Sequence, residues 1–152
     1  MDTHTYRTQL HWDGSTAAGI RAYTRDHTAS AAPATARVDL SADPAFRGDA
    51  GRLNPEQLVV MAASSCQMLS FLGAAARAGV DVLAYDDEAT SHLDVTTGPA
   101  RLAAIQLHAT VRTAPGTDEA TVHRLADQAH RDCYIANSLA VPVRVSTRVV
   151  TS

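Results

Sequence analysis

The chain contains no lysine. All thirteen basic residues among its 152 are arginines, scattered from Arg7 to Arg148, and sixteen acids leave a net charge of −3. No basic stripe forms, so nucleic acid is not an expected partner. Cysteine is equally sparse, with only Cys66 and Cys133. The first residues, Met1 to Arg7, lack the basic-then-apolar pattern of a signal peptide, and a cytoplasmic location is the expectation. In that compartment two thiols serve redox chemistry, or nothing, rather than a permanent staple. The length fits a single domain, 1–152.

A second absence is charge in the middle of the chain, where none occurs between Glu56 and Arg77. Asn54-Pro55-Glu56-Gln57 opens this stretch as a helix start: an N-cap Asn, Pro at the first helical position, an acid in the first turn and Gln three residues after the cap. The helix is predicted to run to Ala78 and stop at Gly79, a rod of about 36 Å. Ser64, Ser65, Gln67, Ser70 and Gly73 interrupt it and no second hydrophobic span accompanies it, so it is not expected to cross a membrane. A helix apolar nearly all round must be buried on every side. One chain of this size can hardly surround it, which points to an obligate homodimer.

Strands flank the helix. Tyr6, Thr8, Leu10 and Trp12 alternate with polar residues, and 20–25 is the expected return arm of a hairpin across Asp13-Gly14. The stretch 28–36 reads as a loop, 37–40 as a short strand, and 41–53 as a long loop of the kind that often carries function. Beyond the helix, 82–85 and 89–95 read as strands on either side of the acidic patch Asp86-Asp87-Glu88. Residues 105–112 form a half-buried strand. Thr117 or Asp118 caps a helix that sets Val122, Leu125, Ala126, Ala129 and Cys133 on one face. Val143, Val145 and Val149 mark the last strand.

Two thiols on inward helical faces could form one dithiol site, or be inert core residues, since free cysteine is among the most buried residue types. Cys66 is the better nucleophile candidate, because Ala63, Ser64 and Ser65 leave room beside its sulfur. It lies too far along the helix to draw on the N-terminal dipole, so activation needs a cation. Arg25, Arg47 and Arg52 are the candidates. Glu56 is explained by the helix dipole and sits roughly 15 Å along the axis from Cys66; it could reach the thiol only by orienting an arginine. His123, His130 and Cys133 offer a partial metal-ligand spacing with no completing element, and no metal is expected. Phe46, Met68, Phe71, Tyr134 and Ile135 cluster in sequence around the thiols and the long loop. They are either core or an apolar pocket for an organic substrate.

Asn54-Pro55-Glu56-Gln57-Leu58, then Ser64-Ser65-Cys66 with Met68-Leu69, and later Cys133-Tyr134-Ile135-Ala136-Asn137-Ser138, resemble the signature of the OsmC/Ohr family, the osmotically inducible and organic hydroperoxide resistance proteins. The resemblance spans nearly the whole chain, including Tyr23-Thr24-Arg25-Asp26-His27. It implies an α+β fold in an intertwined homodimer, with two long central helices wrapped by antiparallel sheets. It also implies thiol-dependent reduction of organic hydroperoxides without a cofactor, followed by recycling through a cellular dithiol. Carried over to this chain, Cys66 takes the peroxidatic role, Cys133 the resolving role, and Glu56 pairs with an activating arginine, Arg25 or failing that Arg47. Many relatives place His after the first cysteine; here Gln67 stands there and cannot act as a base. The competing expectation is a non-enzymatic dimer that binds a hydrophobic small molecule.

Overall fold

The computed structural model describes residues 3–151. The fold is mixed α+β, as expected, and divides into two compact units, one ending at Leu58 and the other beginning at Val59.

The first unit is built on an antiparallel sheet of three strands in sequential order, β1 (Gln9–His11), β2 (His27–Ser30) and β3 (Arg37–Leu40). Here the expected hairpin needs correction. Strand β1 pairs with β2, not with 20–25, and so 28–36 is in part a strand rather than a loop. Successive turns occupy the intervening residues: the Gly19 N–H reaches the Thr16 carbonyl at 3.0 Å, and Ala22 reaches Gly19 at 3.0 Å. Gly19 has φ +91°, a conformation that glycine adopts without strain. Trp12 closes this excursion by donating from Nε1 to the Thr24 carbonyl (2.9 Å) and meeting Tyr23 edge to face at 6.2 Å.

The long loop is ordered by its own backbone. Buried Ser41 donates its N–H to the Leu53 carbonyl (2.9 Å) and its Oγ accepts from the Asp49 N–H (3.0 Å). Asp43 caps a short 3-10 turn, Pro44–Phe46. Gly48 lies so close to Ala42 that a Cβ there would stand 1.6 Å from the Ala42 carbonyl oxygen, which leaves room only for glycine. Arg52 bridges Asp26 at 3.5 Å and Asp49 at 3.6 Å, tying the loop to the residues just before β2.

Helix α1 (Pro55–Arg77) begins and ends where its capping chemistry dictates. The Gln57 N–H donates to Asn54 Oδ1 (2.9 Å) while the Asn54 N–H donates to Gln57 Oε1 (3.0 Å), the reciprocal bonds of a capping box. At the other end Gly79 takes φ +71° and the Val80 N–H bonds back to the Ala75 carbonyl at 2.9 Å, satisfying a terminal acceptor.

The second unit holds β4 (Val82–Thr90), the small β5 (Leu93–Asp94) and β6 (Arg101–Leu102) pair, β7 (Ile105–Thr113), α2 (Glu119–Asp132), α3 (Tyr134–Ser138) and β8 (Val143–Thr151). The acidic patch does not separate two strands: Asp86, Asp87 and Glu88 lie within β4, paired along β7. Alternation survives because only Asp87 of the three turns partly inward. A second correction concerns the sheet, in order β4-β7-β8: β4 and β7 are antiparallel, but β7 and β8 are parallel. The physical reason is the crossover through α2 and α3, which returns the chain in the same direction.

Central β7 buries every second residue, Ile105, Leu107, Ala109, Val111 and Thr113. Against it pack Phe71, Ala74 and Ala75 of α1 and Val122, Leu125, Ala126 and Ala129 of α2. A second cluster joins Ala63 to Ile105, Leu107 and Val143. By length and composition α1 could cross a membrane; in this fold it buries one stripe, Ala63, Gln67, Phe71, Ala74 and Ala75. Its other side is open, with Leu69 63% and Met61 49% exposed.

Candidate thiol site

Cys66 lies in the middle of α1 beside its buried stripe and is half-buried. Cys133 ends α2 and starts α3. Its backbone leaves the helical region (φ −71°, ψ +111°), its N–H still reaches the His130 carbonyl (3.3 Å), and its own carbonyl accepts from Asn137 (3.0 Å). The Asn137 side chain donates to the Arg131 carbonyl at 2.9 Å, bracing the same corner. The kink therefore holds the Cys133 side chain in the core, 1% exposed.

Both thiols are free. Burial pushes the Cys133 thiol up from its usual range, the Ala136 N–H at the start of α3 pulls it back, the neighbouring Cys66 thiol raises it again, and the Ile135 N–H opposes this last. The two sulfurs thus share one environment within a single unit. Cys133 is held in its protonated form there.

Three further side chains surround them. Ser64 donates its hydroxyl to the Asp87 carboxylate on β4. Gln67, 1% exposed, donates Nε2 to the Ala126 carbonyl of α2 at 3.2 Å. Tyr85 packs on Phe71 with ring centroids 5.8 Å apart, and its phenol is pushed above its usual range by burial first, then by the Asp87 carboxylate, then by Cys133. Asp87 Oδ1 and Gln67 Oε1 are buried without a hydrogen-bond partner among the described residues.

The candidate cation belongs to the first unit. There Arg25, His27, Ser41, Phe46, Pro55 and Glu56 line a cavity of about 190 Å³. Arg25 is fixed by donating to the Ile20 and Tyr23 carbonyls and by stacking its guanidinium 3.9 Å from the Tyr23 ring centroid. His27 Nδ1 lies 2.7 Å from the Arg25 carbonyl oxygen. Arg25 and Glu56 thus share a cavity, yet no ion pair joins them among the described residues. Arg47, the fallback, is exposed at the end of the 3-10 turn with φ +69°.

The five apolar residues grouped in sequence do not stay grouped. Phe46 is half exposed and lines the cavity of the first unit. Phe71 is in the core beside α2, Ile135 packs against the Ala63 cluster, and Met68 is half-buried on α1. Tyr134 is 82% exposed. Sequence reasoning took Ser64 only as a small residue beside Cys66 and missed Tyr85, Asp87 and His27 as neighbours of the candidate groups. The alternation of Tyr85, Asp87 and Ala89 was the available signal for β4. His123 is spent on Glu119 (3.3 Å), and among the described residues no group of three or more His, Cys, Asp or Glu could hold a metal ion.

An α+β chain that sets two free thiols side by side, one half-buried on a long helix and one buried at a helix junction, defines a dithiol protein. The family profile described as OsmC-like protein matches residues 48–148, and the chain belongs to that family. Among solved structures, an OsmC-like protein of unknown function from Vibrio cholerae is 25% identical, with a TM-score of 0.83 over 97% of this chain and 100% of that one. An organic hydroperoxide resistance protein OsmC from Legionella pneumophila shares the fold at 19% identity, TM-score 0.73, over 98% of each chain. Another organic hydroperoxide resistance protein, from Elizabethkingia anophelis, does so at 16% identity, TM-score 0.72, over 99% of each. Among curated proteins none matches the sequence.

Proposed function

We propose that this chain is a cytoplasmic, homodimeric thiol peroxidase that reduces organic hydroperoxides to alcohols. The observation that carries this reading is the apposition of Cys66 and Cys133, with a buried thiol kept protonated beside a more accessible one. Cys66, as thiolate, attacks the terminal peroxide oxygen. An S–O bond forms, the O–O bond breaks, and the alcohol leaves with a proton, so that Cys66 becomes a sulfenic acid. The Cys133 thiol then displaces water from that sulfenic acid to give a disulfide, and a cellular dithiol reduces it by exchange. We assign the activating cation to Arg25, which the Ile20 and Tyr23 carbonyls hold and which shares a cavity with Glu56 and Phe46, and the apolar surface for the organic group to Met68 and Ile135. Phe71 supports this surface from the core. Tyr134 and the open line of Met61 and Leu69 on α1 are apolar surface that a second copy of the chain would cover.

Free thiols counted before and after one equivalent of tert-butyl hydroperoxide test the reading. Wild type is expected to lose two thiols and Cys66→Ser none, while Cys133→Ser yields a sulfenic acid that dimedone traps. Wild type that keeps both thiols and consumes no peroxide would sink the enzyme reading and leave a binding protein for a hydrophobic ligand.

A further inference from the structure

The buried stripe of α1 holds one large apolar side chain, Phe71, among the small Ala63, Ala74 and Ala75, while Leu69 and Met61 lie on the open side. Phe71 is therefore the main apolar anchor of the helix's rotation, and around the thiol itself the buried stripe offers only the small Ala63 and the polar Gln67. The angle nevertheless matters to the thiols, because each residue step along a helix is about 100° around it. A turn of that size would swing Cys66 away from Cys133, and a disulfide needs Cα atoms within about 7 Å.

Two polar contacts do have direction. Ser64 binds Asp87 on β4 and Gln67 binds the Ala126 carbonyl on α2, and these two residues bracket Cys66 within a single turn. Turning the helix would break both bonds and strand buried polar atoms. Gln67 already keeps one oxygen in the core without a partner, an expense that an apolar side chain of the same length would avoid. Its amide is therefore poorly explained as packing. Ala126 lies two turns before Cys133 on the same helix, so the Gln67 bond links the turn that carries one thiol to the helix that ends at the other.

We propose that Ser64 and Gln67 are positioning residues that set the rotation of α1, aiming Cys66 at Cys133 for disulfide closure. This rests on the peroxidase reading for its physiological meaning, though not for its geometry. Gln67→Met keeps length and removes the amide; Ser64→Ala removes the bond to Asp87. With tert-butyl hydroperoxide, both variants are expected to form the Cys66 sulfenic acid at the wild-type rate. Closure should slow about tenfold, and the dimedone-trapped fraction should rise accordingly, while Gln67→Met melts no lower than wild type. A merely structural role would lower the melting temperature and slow both steps together. That outcome, or closure within twofold of wild type in both variants, overturns the proposal. Diamide, which oxidises neighbouring thiols without a peroxide step, gives the second arm. If wild type closes with diamide but never reacts with peroxide, the peroxidase reading fails, and the diamide closure rates of the two variants still decide the role of Ser64 and Gln67.

Discussion

Truncating Phe71 to alanine separates its two possible roles, substrate wall and core. The ring is 1% exposed, packs on Tyr85 and belongs to a cluster with Val111, Val122 and Leu125. Removing so large a buried side chain costs about 3–5 kcal/mol, because lost transfer energy is joined by the cavity left behind. For a domain of this size each kcal/mol moves the melting temperature by about 2–4 °C, so Phe71→Ala should melt roughly 6–20 °C lower. The assay is a thermal melt of reduced protein followed by circular dichroism at fixed protein concentration, since any oligomer makes the midpoint concentration-dependent. Peroxide turnover is then measured well below the lower transition, where KM should stay near the wild-type value. A melting temperature within about 3 °C of wild type, together with a raised KM, would refute the core assignment.

Alkaline pH offers a second check. The unfolded chain releases the Cys133 and Tyr85 protons near pH 8.5 and 10, their ordinary values of about those sizes, while burial keeps both groups protonated to higher pH in the fold. The native state then binds more protons, so stability is full below about pH 8.5 and falls as pH rises. Urea midpoints at pH 7, 9 and 10.5 should decline, and the decline should be shallower in Tyr85→Phe. Arg25→Lys keeps the charge but loses the planar fork that holds the Ile20 and Tyr23 carbonyls; peroxide kcat/KM should drop about tenfold, the loss of roughly one charge-assisted hydrogen bond, as read by stopped-flow at pH 7. Asn54→Ala removes one half of the capping box on α1 and should cost about 1 kcal/mol, measured as a lowered urea midpoint.

Local chemistry made much of this fold legible. The limits of α1 followed from Asn54, Pro55, Gln57 and Gly79, each of which acts through bonds only a few residues long. Strand β7 followed from strict alternation, because its buried face is continuous. Pairing was harder to read. Strand β1 found His27–Ser30 because the residues between them consume their hydrogen bonds in successive turns and in the Trp12 contact to Thr24. The parallel pairing of β8 depends on where α2 and α3 deliver the chain, a property no local window contains.

The candidate site divides along the same line. Cys66 and Cys133 could be picked out by residue type, yet the reason they meet lies in the kink between α2 and α3 and in two side chains that look unremarkable in sequence. Three consecutive acids read as a patch between two strands, whereas in β4 the pleat sends Asp86 and Glu88 outward and leaves Asp87 to receive Ser64. Gln67 drew notice as a polar interruption of the apolar run and as a residue that could not be a base. Its neighbours give it another task. A helix with no charge from residue 57 to 76 has one large buried apolar side chain, Phe71, to choose its rotation, and apolar contact is non-directional. Hydrogen bonds are directed, and each one broken inside a core carries its full desolvation cost. Phe71 alone leaves the turn around the thiol loosely set, and the two polar groups whose bonds leave the helix stand on either side of Cys66 to restrain it.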